Sequence, residues 1–498
     1  MKTFLISTAI DYPSARFHLG HGYEKIATDT IARWKRLQGF EVHFSTGTDC
    51  HGMKIQRAAE TAGKKPEVFV EEISALFKQL CKELNISNDD FIMTTEKRHV
   101  KVVQAIIEKL NKKGVVYSGE YEGNYCVDCE TFYTEKDLVD GCCPVHHRKV
   151  EKVKEKTYFF QTGKYQKALI EHVQKHPDSL WPEKKRNEIL NRLKEPLRDL
   201  ALTRERVSWG IPFPLDKGLT VAIWVDALIN YLSTVDYPNK KFKKFWPATH
   251  VIGSDIVWHH TILWWSILLA LDIALPRVVV HGFINVGGQK LSKSTGLTVD
   301  PLQLAEEYSA DSLRYYLMRE IPFGQDGDFS VDALIERHNK ELANDLGNLL
   351  NRTLSLAEKK INSTVPNAKT DPVLAGKLNI EKIIASMDSL ETHNALSEIF
   401  VFIGACNKYV NDKQVWTLEG KAAEEALYSL LDSLRIISIL LSPFIPSTSI
   451  WISRQLNAPL GNLNEANFNL LKSGTKLGPK EILFKKIEVA KSPANPLP

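Results

Sequence analysis

The chain has 498 residues, of which 43% are apolar and 25% charged, enough for roughly three domains with ordinary cores. That composition excludes a disordered or fibrous protein, and a net charge of only +4 excludes nucleic-acid capture by overall charge, leaving local basic surfaces for that task. Seven cysteines, four of them clustered, do not form the framework of a small secreted domain; clustered Cys and His point to metal in a reducing compartment.

From the N-terminus, Thr3 to Ile10 reads as a buried first strand rather than a signal peptide, because Asp11 follows at once and no small-residue cleavage site is clear. His21 to Gln38 has helical spacing, with Ile26, Ile31, Trp34 and Leu37 as its apolar stripe and Gly39 as its stop. Phe40 to Ser45 reads as the next strand and runs into Gly47-Thr48-Asp49-Cys50-His51-Gly52. Alternating strands and helices over residues 1–115 predict an open parallel sheet, in which ligands collect outside the carboxyl ends of the strands. No Gly-x-Gly-x-x-Gly follows the first strand, which argues against a dinucleotide dehydrogenase.

Residues 116–215 read as an insertion with its own chemistry. Cys126-Val127-Asp128-Cys129 and Cys143-Pro144-Val145-His146 are two pairs, each with two intervening residues, the way two knuckles present four ligands to one tetrahedral zinc. Four protein ligands leave no open position, so the expected role is structural. Cys142 and His147 compete for the second pair, and four unrelated reduced side chains remain the plain alternative. The lysines between Lys149 and Lys156 read as a solvated face.

The sheet pattern resumes over 216–285. Val221 to Val225, with Trp224 inside it, reads as apolar strand, and Asp226 as the N-cap of the helix after it. His250 to Ile252 is a short strand ending in Gly253-Ser254-Asp255, followed by a helix with Ile256, His260 and Trp264 at four-residue steps. The apolar run from Ile262 to Leu275 is interrupted by Asp272, so it is a core helix and no membrane span is expected. Arg277 to Val280 gives a further strand. Residues 286–330 carry Gly287-Gly288 and Lys290-Leu291-Ser292-Lys293-Ser294; over 331–498 the pattern becomes helical, in long amphipathic stretches (Asp332 to Lys360, Ile380 to Asn411, Ala422 to Leu441) that predict a bundle, and the last twenty residues read as a loose tail.

Two short motifs carry the chemistry. His18-Leu19-Gly20-His21 offers two imidazoles about one helical turn apart, with a glycine at which a base or phosphate can approach the backbone. Lys290 and Lys293 place two ammonium groups in one loop, suited to close on a pyrophosphate as charge builds on it.

In this order the two motifs resemble the HIGH and KMSKS signatures of class I aminoacyl-tRNA synthetases. The chain as a whole resembles the methionyl-tRNA synthetase family, through Ala9-Ile10-Asp11-Tyr12, the GTDxHG turn, the Cys-x-x-Cys knuckle, Trp224-Val225-Asp226-Ala227, Ile252 to Ile256, KLSKS, the run from Arg319 to Ser330, and Asn344 to Asn348. The resemblance implies an α/β protein: a Rossmann-like parallel-sheet catalytic domain with a zinc-knuckle insertion, then an all-α helical bundle that binds the anticodon. It implies methionyl-adenylate formation from ATP and L-methionine, with magnesium accompanying ATP, then transfer to the 3′ end of tRNA(Met). The corresponding ATP-binding positions are His18, Gly20, His21, Gly253, Asp255, Lys290 and Lys293, with His18, His21, Lys290 and Lys293 catalytic and Lys293 the main partner of transition-state charge. Asp49 would pair with the methionine ammonium, and Ile10, Tyr12, Trp224, Ala227, Leu228, Tyr231, Ile256, His260 and Trp264 would line its pocket. Leu228 and Ile256 would look the same as plain core. Asn348, Arg352 and Trp416 match anticodon contacts, Trp416 reading equally as a stacking platform or a buried anchor.

Departures fall at Cys50, where the family commonly has Glu, at Asp11, at Leu228 in place of a common proline, and at Val415. No appended oligonucleotide-binding domain is recognisable, which implies a monomer; the lack of targeting features implies the cytoplasm. The alternatives are another class I synthetase, for whose editing domain residues 116–215 leave little room, and a non-catalytic tRNA-binding paralogue, against which His18, His21, Asp49, Lys290 and Lys293 stand together.

Overall fold

The computed structural model describes residues 2–127, 131–133, 135–144, 147–287, 289–290 and 299–488, with backbone only at 131–132 and 289–290. Its centre is a six-stranded parallel sheet. Strand β1 (Thr3–Thr8) is flanked on one side by β2 (Glu41–Thr48) and then β3 (Asp90–Met93). The helix Leu19–Leu37 connects β1 to β2, and the helices Met53–Thr61 and Pro66–Glu83 connect β2 to β3. β1 is buried along Leu5–Thr8, as a central parallel strand must be, and it stops at Thr8, short of the expected Ile10.

β2 runs three residues beyond the expected Ser45 because β3 continues to pair with it, Thr46 opposite Phe91 and Thr48 opposite Met93. Gly47 is required at this point: a Cβ there would stand 2.0 Å from the Ile92 carbonyl oxygen. The helix after β1 begins at Leu19, two residues earlier than its apolar periodicity predicts, because His18 caps it with its own ring.

After the helix Lys97–Lys112, an antiparallel sheet forms from β4 (Val116–Cys126), β5 (Thr131–Tyr133) and β6 (Glu151–Phe160). The chain then returns to the main sheet with β7 (Leu180–Trp181) before β8 (Leu200–Ala201) extends the β6 edge, and β9 (Thr203–Arg204) pairs with β10 (Thr220–Val221). On β6, Lys152, Lys154 and Lys156 are exposed and face Glu135, Glu120 and Asp216, a solvated charged face.

The strand expected over Val221–Val225 ends at Val221. Ile223–Ser233 is a helix with Ala222 as its N-cap, so Asp226 lies inside it rather than capping it. Nearly every side of that helix is buried, and an all-round apolar segment carries no period to distinguish it from a strand. β11 (Ala248–Gly253) and β12 (Arg277–His281) complete the main sheet in the order β3-β2-β1-β11-β12-β7. Between them the expected regular helix is a 3₁₀ turn (Ser254–Ile256), a π-helical segment (His259–Trp264) and an α-helix (Trp265–Ala270). β13 (Ile284–Val286) then pairs with β14 (Gln289–Lys290) and with β15 (Gly327–Asp328).

From Val331 the structure is helical. A π-helical segment (His338–Gly347) interrupts the first expected stretch, the second divides into Ile380–Asp388 and Thr392–Asp412, and Gly420–Leu441 and Pro446–Leu456 follow. The expected loose tail is tied down over its described part. His338 meets the Lys485 carbonyl at 2.8 Å, Asn339 exchanges two hydrogen bonds with Ile487, and Leu483 is buried; residues 489–498 lie outside the described residues. One apolar core runs from the helix Leu19–Leu37 through Tyr315 and Tyr316 into the helical region, and a second covers the side of the sheet facing the helix Ile223–Ser233. Among the described residues no helix is long and apolar enough to cross a membrane.

Candidate functional site

The carboxyl ends of β1, β2 and β11 meet at one rim. The Ala9 N–H donates to the Val251 carbonyl, the Asp11 N–H to Gly47 and the Asp49 N–H to Asp11, so three strand ends are stitched together beyond the regular sheet. β1 has β2 on one side and β11 on the other, which makes this the point where strand order reverses and a crevice opens.

The helix Leu19–Leu37 points its N-terminus at that crevice. His18 Nδ1 accepts from the Gly20 N–H at 3.1 Å, His21 Nδ1 accepts from the His18 N–H at 3.1 Å, and the two rings lie 4.0 Å apart. Each ring therefore carries its remaining proton on Nε2, turned away from the cap. With no acidic residue in the first turn, the arrangement favours an anion. Gly20 is needed locally as well: a Cβ would sit 2.9 Å from the His18 ring.

Both flanks of the lysine loop are fixed beside this helix terminus. Lys290 pairs by backbone with Asn285, and at the far side the Leu19 N–H donates to the Val299 carbonyl while Arg16 binds Asp300 at 2.7 Å. The Lys290 side chain and the whole of Lys293 lie outside the described residues. Behind the rim, Lys25 is completely buried against Asp11, and Glu24 meets His281 at 2.9 Å. Burial opposes charge on His281, but the Glu24 carboxylate outweighs it and holds the imidazole above its ordinary value. Gly253 leaves room for Asp255, whose carboxylate would stand 2.8 Å from a Cβ there; Asp255 itself is exposed.

Across the crevice lies a largely aromatic wall. Trp224 stacks on His259 at 3.7 Å with the rings 5° from parallel. His260 Nδ1 lies 3.0 Å from the Ile256 carbonyl, which only accepts, so His260 Nε2 accepts from the Tyr231 hydroxyl at 2.8 Å. Burial pushes His260 down to about 4, in keeping with a neutral ring. Tyr231 also stacks on His250 at 3.8 Å; Trp264 donates to His250 Nε2 at 3.2 Å, and His250 Nδ1 meets Ser7 Oγ at 2.8 Å. Ala227, Leu228 and Trp264 are buried, while Ile10, Tyr12, Trp224 and Ile256 are half-buried at the rim. Sequence reasoning missed His250 and His259: His250 lies in a strand between Thr249 and Val251 and His259 between Trp258 and His260, so neither carries a signal of its own.

Asp49 is buried at the end of β2, and His51 reaches over to the helix Ile223–Ser233, where its Nδ1 lies 2.7 Å from Asp226. The second Asp226 oxygen lies 2.7 Å from Nε2 of His99. Tyr12 donates to the His51 carbonyl and Trp209 to that of Cys50. Cys50, the departure from the usual Glu, is fully buried among Ile55, Ala59, Phe69 and Val70; burial pushes its thiol up to about 11, so it fills a small apolar cluster and offers no charge to the crevice.

Two of the four expected metal ligands can be located. Cys126, at the end of β4, and Cys143 are both buried, and the segment from Lys149 to Glu151 links their neighbours: Lys149 bridges Cys142 while Glu151 pairs with Tyr125. Cys129 and His146 lie outside the described residues, and among the described residues no cluster of three or more candidate ligands occurs. Buried thiols are the soft donors a closed zinc site uses.

In the helical region, Asn348 and Arg352 are one turn apart on the helix Asn348–Ile361, and Arg352 donates to Asn411 at 3.0 Å. Trp416 follows closely in the chain and is 46% exposed. It is not a buried anchor.

The pattern of the family described as tRNA synthetases class I (M) matches residues 4–156 and 136–354, and that of the anticodon-binding domain of tRNA ligase matches 377–487. A parallel sheet with a capped helix at its switch point, followed by a helical region, is thus a class I tRNA synthetase. Methionine–tRNA ligase of Caldanaerobacter subterraneus is 44% identical over 512 residues, covering 99% of this chain and 80% of that protein, and that of Clostridium tetani is 43% identical, covering 98% and 79%. The methionyl-tRNA synthetase of Mycobacterium tuberculosis in complex with methionyl-adenylate superposes with a TM-score of 0.93 at 36% identity, covering 97% of this chain and 100% of that one; its free-state structure gives 0.87 at 34%, covering 98% and 99%. The chain belongs to the methionine–tRNA ligase family.

Proposed function

We propose that this chain activates L-methionine with ATP to methionyl-adenylate, releasing pyrophosphate, and transfers the methionyl group from the adenylate to the 3′ end of tRNA(Met), releasing AMP. The observation that carries this reading is the convergence at one rim of a dual-histidine helix terminus, a buried carboxylate and an aromatic wall. His18 and His21 hold the triphosphate, the adenine lies over Gly20, and Asp255 binds the ribose from the end of β11. ATP enters as its magnesium complex, which neutralises part of the phosphate charge. Asp49 takes the methionine ammonium. Tyr12, Trp224, Tyr231, His260 and Trp264, with Ile10, Ala227, Leu228 and Ile256, form a pocket suited to a flexible thioether. Lys290 and Lys293 stabilise charge on the departing pyrophosphate, and the carboxylate attacks in line at the α-phosphorus.

Residues 1–115 and 216–285 act in this reading as two halves of the catalytic unit, 116–215 as an insertion that returns one edge strand, β7, to the main sheet, 286–330 as the lysine-loop and stem-contact region, and 331–498 as the anticodon reader. Cys126, Cys129, Cys143 and His146 would hold a structural zinc that fixes the tip of the insertion. ATP–pyrophosphate exchange across a panel of amino acids tests the reading: exchange with methionine well above leucine, isoleucine, valine and cysteine is expected, and a preference for any of these instead would overturn it.

The exposure of Trp416 favours base stacking over a packing role. Trp416→Ala is therefore expected to lower the efficiency of tRNA charging by about tenfold to a hundredfold, the loss of one base stack worth ~1–3 kcal/mol. Exchange, which needs no tRNA, and the melting temperature should hardly change, since the side chain fills no core. Equal losses in charging and exchange, or unchanged charging, would remove Trp416 from anticodon recognition.

A further inference from the structure

The Asp226 carboxylate is fully buried and bonded on both oxygens, to His51 Nδ1 and His99 Nε2, each at 2.7 Å. Behind it, His99 Nδ1 meets Ser233 Oγ at 2.9 Å, so His99 is held at both ring nitrogens. Burial raises Asp226, but the two imidazoles outweigh it and hold the carboxylate below its ordinary value, so it stays ionised and only accepts. The proton of His51 is thereby fixed on Nδ1, and Nε2 is left as a lone-pair acceptor in a set orientation. Among the described residues no protein group bonds His51 Nε2, and it is not one of the sealed, unpartnered atoms of the interior. The ring is confined on its other side by Trp209 at 5.3 Å.

His51 lies where three elements meet, and each carries a residue assigned above to methionine. Tyr12 donates to its backbone carbonyl, Asp49 stands two residues before it, and Asp226 is the immediate neighbour of Ala227. An ammonium group brings three donors, and a single carboxylate does not satisfy three directions at once.

We propose that His51 is a further substrate-binding residue, whose Nε2 accepts a hydrogen bond from the methionine ammonium beside Asp49, with Asp226 and His99 as the positioning residues that fix its tautomer. The proposal rests on the methionine pocket described under the proposed function. It also gives buried Asp226 a role beyond packing: an amide at 226 would present an N–H to His51 Nδ1, move the ring proton to Nε2 and turn an acceptor into a donor aimed at a cation.

The test compares two ligands on the holoenzyme. One is methionine; the other is 4-(methylthio)butanoate, the same molecule without its amino group, scored as an inhibitor of exchange. His51→Ala should weaken methionine by about tenfold to a hundredfold, the usual range for a hydrogen bond to a charged group, while the inhibition constant of the des-amino ligand and the KM for ATP stay unchanged. Asp226→Asn should shift the same ratio in the same direction, and His51→Gln, which keeps an acceptor, should recover part of it. The ratio is read on folded protein, so His51→Gln and Asp226→Asn keep the test open if His51→Ala does not fold. Equal weakening of both ligands would reduce His51 to a structural residue, and unchanged methionine affinity would overturn the contact outright. Wild-type protein that does not exchange with methionine would instead overturn the pocket itself, a failure visible before any variant is made.

Discussion

Replacing Lys293 with alanine is expected to slow ATP–pyrophosphate exchange by about a hundredfold to a thousandfold, the usual cost of deleting one preorganised partner of transition-state charge, with the KM for methionine nearly unchanged. Lys290 is locked by backbone pairing to Asn285, and the return of the chain at Val299 and Asp300 is bonded to Leu19 and Arg16, at the mouth of the dual-histidine helix. In the proposed reading a cation carried between those anchors would oppose the charge that accumulates as pyrophosphate leaves. In the same reading the ground-state ammonium and thioether of methionine are contacted elsewhere, at Asp49 and along the wall from Trp224 to Trp264. An interaction realised mainly in the transition state lowers kcat and leaves substrate binding alone. Lys293→Arg, which keeps the charge, should retain part of the rate. A near-normal exchange rate in Lys293→Ala would take the residue out of the mechanism, and a rise in methionine KM matching the loss in kcat/KM would move its role to ground-state binding.

Much of the catalytic half was legible because buried parallel strands are short apolar runs closed by polar, glycine-bounded turns, as at Gly47 to Gly52. Boundaries moved wherever a tertiary contact decided them. β2 reaches Thr48 only because β3 lies beside it, and the capped helix begins at Leu19 only because a histidine, an unusual capping residue, folds back on its own backbone. The segment from Val221 to Val225 misled because the helix it enters is buried almost all round. The residues linked to Asp226 were beyond reach for another reason: His51, His99 and Asp226 come from three separate segments, and no spacing rule joins them. Trp416 was undecidable in sequence since a tryptophan after a valine reads the same inside or outside, and its exposure settles which face it takes.

Arg314→Met is expected to destabilise the chain by about 3–5 kcal/mol, read as a lower midpoint of guanidinium unfolding, because it removes one of two arginines from a buried carboxylate and the donor from three buried carbonyls. Arg314 is wholly buried. It meets Asp29 at 2.7 Å in the middle of the helix Leu19–Leu37, and donates to the carbonyls of Leu84, Pro443 and Phe444 at 3.1, 3.0 and 2.8 Å. One guanidinium thus fastens the helix that starts with His18 and His21 to the chain turn before the helix Pro446–Leu456. Methionine fills much of the same volume, so the loss would come from the three unpaired carbonyls and from an Asp29 left with Arg33 and Ser87 alone, rather than from a cavity. Lysine keeps the charge but offers no planar fork to reach four acceptors, so Arg314→Lys should recover only a small part. The pH dependence has a definite sign. Burial pushes the Asp29 carboxyl up, but Arg314 and Arg33 outweigh it and hold it below its ordinary value. A depressed carboxylate contributes stability that is complete above the unfolded value of about 3.9 and is lost as the pH falls through the folded value. The gap between wild type and Arg314→Met should therefore be widest near neutrality and narrow in acid. In contrast to Trp416→Ala, charging and exchange should fail together as the variant unfolds. A variant losing less than about 1 kcal/mol, or a gap that widens in acid, would show that the tie does not hold the two parts together.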